Sequence, residues 1–193
     1  MKILKMMITF SLVLALLAAS TACGNKGETP EQAVTNALNA IKNLDQDTIS
    51  LYFTDNTPLD AESELLEGDE MLKIIVNKLD FKIISSSEDD DTAIIKTEII
   101  NTDMKPIIAE YFEKAIQAAF ASAFSEQETS SEEDMTQILV DLLKRDGNKM
   151  LTSTIDIKLT KNEERWTINV DESLQDAILG GMVSSFNEIG EGF

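Results

Sequence analysis

Residues 151–160 read LTSTIDIKLT, and no other stretch of the chain restricts its fold so closely. Leu151, Ser153, Ile155, Ile157 and Leu159 fall on one face of an extended strand, and Thr152, Thr154, Asp156, Lys158 and Thr160 on the other. The turn-forming KNEE, Lys161 to Glu164, leads into a second strand whose inner positions are Trp166, Ile168 and Val170. The spacing predicts an antiparallel hairpin with one wet face. Its apolar face must be covered by other elements, which excludes an all-helical fold and calls for a layer of helices or a second sheet.

Helical periodicity supplies that layer. Thr29 reads as an N-cap, with Pro30 at the first helical position and Gln32 placed to close a capping box. Ala33, Val34, Ala37, Leu38 and Ile41 then share one face as far as Asn43. A short helix is predicted over Asp47–Phe53, a loop over Thr54–Asp60, and a third helix over Ala61–Leu79 that Gly68 can split. Phe81 and Ile83 change the period to two. SSSEDDD, Ser85 to Asp91, reads as a turn, and AIIKTEII, Ala93 to Ile100, as the returning strand. Asp103 is a candidate cap for a helix from Lys105 to Phe124, whose apolar stripe is expected to face a core. Glu126 to Asp134 is an acidic connector. A further helix carries Met135, Ile138, Leu139, Leu142 and Leu143 and ends near Arg145–Gly147. Asp171 caps a last helix bearing Leu174, Ala177, Ile178 and Met182, broken at Gly180–Gly181 and followed by a weak tail. The fold class is therefore α+β, with about four strands in two hairpins and a helical insertion between them.

Composition removes whole classes of chemistry. Asp and Glu number 35 against 16 Lys and Arg, a net charge of −19, so the surface repels nucleic acid and other polyanions. Histidine is absent and cysteine occurs once. Ser-His-Asp and Cys-His systems need an imidazole, and zinc sites are built mainly from His and Cys. No cofactor is implied. What stays open is carboxylate, lysine or tyrosine chemistry.

The one cysteine has a telling address. Lys2 and Lys5 precede MMITFSLVLALLAA, Met6 to Ala19, an uncharged run followed by STACGN. This is the build of an export signal, and it falls short of the roughly 20 apolar residues of a membrane-spanning helix. Small residues followed by Cys23 and Gly24 resemble the lipobox of bacterial lipoproteins, although Ser20 stands where leucine is usual. The resemblance implies cleavage after residue 22, a lipid such as palmitate on Cys23, a tether over 23–28, and one domain over 29–193 on the outer face of the cell membrane.

Two further stretches carry a second resemblance. TPEQAVTNALNAIKNLDQDTISLYF joins an alanine-rich helix to a short helix ending Tyr-Phe, and IKLTKNEERWTINV closes the chain with a lysine-bearing hairpin. Together they resemble uncharacterised Gram-positive lipoproteins whose domain is similar to nuclear transport factor 2. That family implies a curved antiparallel sheet wrapped on helices as a cone, with a pocket at its wide end. It transfers no catalytic motif to this chain.

Candidate sites follow from residue type. Glu88 to Asp91 and Asp45-Gln46-Asp47 are acidic but lack the interval and glycine of a calcium loop, so neither predicts a metal site. Tyr52, Phe81, Tyr111, Ile157 and Trp166 are candidate lining residues if a pocket exists; their other reading is core. The leading expectation is a non-catalytic binding or interaction module engaging a small molecule, a peptide or an envelope protein. An enzyme using a pocket carboxylate or tyrosine for proton transfer, and a purely structural envelope lipoprotein, are the alternatives.

Overall fold

The structure is a computed structural model that describes residues 27–53, 56–60, 69–123, 132–163 and 165–190. The export segment, Cys23 and the expected helical residues 61–68 lie outside the described residues, as does most of the acidic connector. Helix α1, Pro30–Asn43, starts as the sequence predicts. Thr29 accepts from the Gln32 backbone N–H and the Gln32 side chain accepts from the Thr29 N–H, so the capping box is complete. The apolar face of α1, from Ala33 to Ile41, is buried. Asp45 caps α2, Gln46–Tyr52, and α3 follows at Asp69–Val76, ending three residues before the expected Leu79.

Four strands form one antiparallel sheet in the order β1-β2-β3-β4: β1 Asp80–Asp89, β2 Thr92–Thr102, β3 Met150–Asn162 and β4 Arg165–Asn169. The two predicted hairpins are thus a single meander, joined where β2 pairs with β3 along eleven positions from Thr92↔Thr160 to Thr102↔Met150. Ala93, Ile95, Thr97 and Ile99 of β2 meet Leu159, Ile157, Ile155 and Ser153 of β3 on the inner face. The outer face is wet, with Lys96 paired across to Asp156 at 3.8 Å.

One expectation about β1 is corrected. Ser85 to Glu88 are not a turn: they continue the strand, Ser86 opposite Ile95 and Glu88 opposite Ala93, past an irregularity between Ile83 and Ser85. Only Asp90 and Asp91 make the turn, and Asp90 takes a positive φ of 50°. The local sequence has weak strand propensity, but the β-branched strand beside it supplies the ladder and the side chains need bury nothing. Polar side chains along this outer strand also discourage pairing with other chains.

Between β2 and β3 run α4, Met104–Ala123, and α5, Glu132–Lys144; after β4 come α6, Glu172–Ile178, and α7, Met182–Gly190. Met182, expected on the last helix beyond the glycine break, instead opens a separate helix that takes the place of the weak tail expected after it, with Met182 and Ser185 buried. Helix α1 packs on α2, α3 and the sheet, α6 on β2 and β3, and α4 on α5 and α7. One apolar cluster joins all layers, including Leu38, Ile95, Ile108, Leu139, Trp166 and Ile178.

The end of β2 is latched to the α6–α7 junction. Asn101, 1% exposed, donates through Nδ2 to the Ile178 carbonyl at 2.6 Å and accepts from the Thr102 N–H at 2.7 Å. The Met104 N–H donates to the Gly180 carbonyl at 2.9 Å. Gly180 has φ +64°, and a Cβ there would stand 1.9 Å from the Thr102 carbonyl oxygen. Only glycine satisfies both the backbone angle and the contact.

Candidate functional site

The five candidate lining residues are core or near-core. Tyr52, Tyr111, Ile157 and Trp166 are buried, and Phe81 is half-buried against the same cluster. They are distributed over α2, α4, β3, β4 and β1, and none lines the three cavities described below. Tyr52 and Trp166 also make specific local contacts. The Tyr52 hydroxyl donates to Glu28 Oε1 at 2.6 Å, and Asn36 Nδ2 donates to the same oxygen at 2.7 Å and to Tyr52 Oη at 3.1 Å. Burial, reinforced by Glu28, raises the Tyr52 pKa; burial alone raises that of Tyr111. Both phenols are thus weaker acids than in water. Lys161 Nζ lies 5.3 Å from the centre of the Trp166 ring.

The carboxylates with displaced pKa values all move the same way. Glu31 is lowered chiefly by a hydrogen bond from Ser86, and Asp45 by the Thr48 hydroxyl and backbone N–H. At Asp171 burial pushes upward, but Ser173, the Leu174 N–H and Lys158 outweigh it and the net shift is downward. Asp45 and Asp171 are helix caps, so the shifts follow from structure. Among the described residues every buried side-chain polar atom has a partner, and no group of three or more acids or sulfurs is placed to hold a metal ion.

The cavities gather cations. One of about 510 Å³ between α4 and α5 is lined by Glu110, Lys114, Ile138, Asp141, Leu142, Lys144 and Arg145. A second of about 350 Å³ shares Lys144 and Arg145 and adds Lys78, Asp146 and Asn148 beside Ile74 and Met150. Asn77, also on its wall, joins it to a third of about 480 Å³ that holds Lys42 and Lys73. Periodicity could not find this arrangement, but one signal was present: Lys42, Lys73 and Lys144 each stand in the last turn of a helix. The fold brings those three helix ends to one side of the molecule.

The stripe on α4 divides. Ile107, Ile108 and Tyr111 are buried, whereas Ile116 is 52% and Phe120 64% exposed. The expectation that this stripe faces the core holds for the first half of the helix alone. Among the described residues, no helix is long and apolar enough to cross a membrane.

No family model and no curated protein matches the chain. Among solved structures, ycdA of Bacillus subtilis, described provisionally as a lipoprotein, is similar over 86% of this chain at 16% identity and a TM-score of 0.39. The chain spans about half that protein, 47% of its length.

Proposed function

We propose that the protein is a lipid-anchored extracytoplasmic binding module, with residues 1–22 as export signal, Cys23 as the acylated residue and 29–193 as one folded domain. The observation that carries this reading is the uncharged run from Met6 to Ala19 ending at the one cysteine of the chain. A lone thiol has no partner for an internal disulfide, and no histidine accompanies it for catalysis. Helices followed by a four-stranded antiparallel sheet packed on helices support an α+β domain, and its kinship with the nuclear transport factor 2 cone is proposed from the two sequence stretches alone. The binding role is supported by the cavities along α3 and α5.

Metabolic labelling with a fatty acid tests the anchor. The wild-type chain takes up label and partitions with membranes, and Cys23→Ser does neither. Equal labelling of the two would overturn the assignment.

A further inference from the structure

We propose that the cavity walled by Lys78, Lys144 and Arg145 binds a small phosphate monoester carrying an apolar group. This deepens the binding-module reading and rests on it for its biological purpose, although the site itself is independent of the anchor. Acids outnumber bases more than two to one in the chain, yet here three cations face one acid, Asp146. Screening confines the field a ligand feels to about 8 Å at physiological salt, so the lining outweighs the net charge of −19.

The cations have capacity to spare. Lys78 makes no ion pair among the described residues, and the Asn77 side chain makes no hydrogen bond there. Lys144 is 4.0 Å from Glu70, a pair with side chains 55% and 87% exposed, and such pairs hold their partners weakly. Arg145 reaches Glu110 through Nη1 at 2.8 Å; its fork suits a phosphate through the remaining N–H groups. Lysine at a helix end ordinarily answers the carbonyls of the last turn. At α5 that duty is already met, because Asn148 Nδ2 donates to the Leu142 and Leu143 carbonyls at 2.8 and 3.1 Å.

Size and chemistry then select the ligand. A volume of about 350 Å³ suits a small molecule. The residues that face the cavity carry a surplus of two positive charges, offset from behind by Glu70 and Glu110, and a phosphate monoester, with close to two negative charges at neutral pH, would compete with those carboxylates for Lys144 and Arg145. Ile74, Leu143 and the half-exposed Met150 form the wall against which an apolar substituent would rest.

The test is a titration of the full-length lipoprotein in uncharged detergent micelles with phenyl phosphate, followed by amide chemical shifts. Saturable shifts at Asn77, Lys78 and residues 143–148 are expected, with a Kd on the order of 1 mM that rises with salt. Inorganic phosphate should bind the same amides more weakly. Lys78→Gln should weaken binding roughly threefold and Lys78→Gln/Lys144→Gln roughly tenfold, with the melting temperature of the single variant unchanged. Non-saturating shifts, shifts at other residues, or full affinity in the double variant would overturn the site. Saturation by micelles doped with an anionic phospholipid, with no response to phenyl phosphate, would overturn the soluble ligand in favour of a headgroup. The result is separate from the fatty-acid labelling, which reads the anchor alone.

Discussion

Gly180→Ala is the substitution whose cost can be worked most fully from the structure, because Gly147 supplies its own control. Both glycines adopt positive φ, +64° at Gly180 and +86° at Gly147. An alanine in the left-handed region costs roughly 1–2 kcal/mol, and this cost is common to the two sites. At Gly147 nothing lies within 4 Å of the added carbon, so the cost ends there. At Gly180 the carbon would overlap the Thr102 carbonyl oxygen at 1.9 Å and crowd Met104 Cγ at 3.3 Å. The obstacle is backbone at the end of β2, which can retreat only by pulling on the Met104 to Gly180 and Asn101 to Ile178 hydrogen bonds. Losing those bonds adds about 1–3 kcal/mol for each buried group left without a partner. Gly180→Ala should therefore cost at least about 3 kcal/mol, against about 1–2 for Gly147→Ala. Urea unfolding of the full-length chain measures both, and thermal melting should show the larger loss as a fall of at least about 6 °C. A Gly180 variant no less stable than the Gly147 variant would refute the argument that a steric latch, and not backbone freedom alone, requires glycine there.

The division of α4 can be tested in the same way. Ile108→Ala should destabilise by about 2–5 kcal/mol because the side chain is fully buried, and Phe120→Ser by no more than about 0.5 kcal/mol; comparable losses in urea would show that the second half of the helix is packed. Asp171 predicts a pH dependence. Its pKa is lowered on folding, so its contribution is present above the unfolded value of about 4 and fades as pH falls through the folded one. Asparagine keeps the cap but not the charge, so Asp171→Asn should be less stable than wild type by under about 1 kcal/mol at pH 6, the pair with Lys158 being partly exposed. The gap should narrow as pH falls below the unfolded value and close once it is below the folded one; an unchanged gap would show that the charge plays no part.

What was legible in the sequence depended on how local its cause is. The caps at Thr29 and Asp171 and the face of Ile155, Ile157 and Leu159 are set by residues a few positions apart, and each is found where the pattern puts it. Ser85 to Glu88 form a strand because β2 lies alongside, a fact held by their partners from Ala93 to Lys96 and not by their own side chains. Helix α7 hides behind Gly180–Gly181, which break the pattern where Gly180 meets the Thr102 carbonyl and Gly181 lies close to Leu151, contacts with residues far back in the chain. Tyr52 and Trp166 looked like pocket residues for the reason that they look like core: both demand an apolar body and a satisfied polar tip. The cationic cavity left no periodic mark, since Lys78, Lys144 and Arg145 come from two segments that meet only in the fold.

The hydrogen bonds at Glu28 set a limit on movement. Tyr52 and Asn36 pin that carboxylate to the body of the domain before α1 begins. On the anchorage proposed above, Cys23 and the pinned Glu28 are five residue steps apart along the chain, a separation of at most about 17 Å. On that anchorage Glu28 itself would stay within about two screening lengths of the bilayer. Helix α1 spans 14 residues, about 20 Å, so the cavity beside Lys42 is carried at the end of the helix remote from the stop. Lengthening 24–27 would change how far the domain travels, while loosening Tyr52 would change where its travel is hinged.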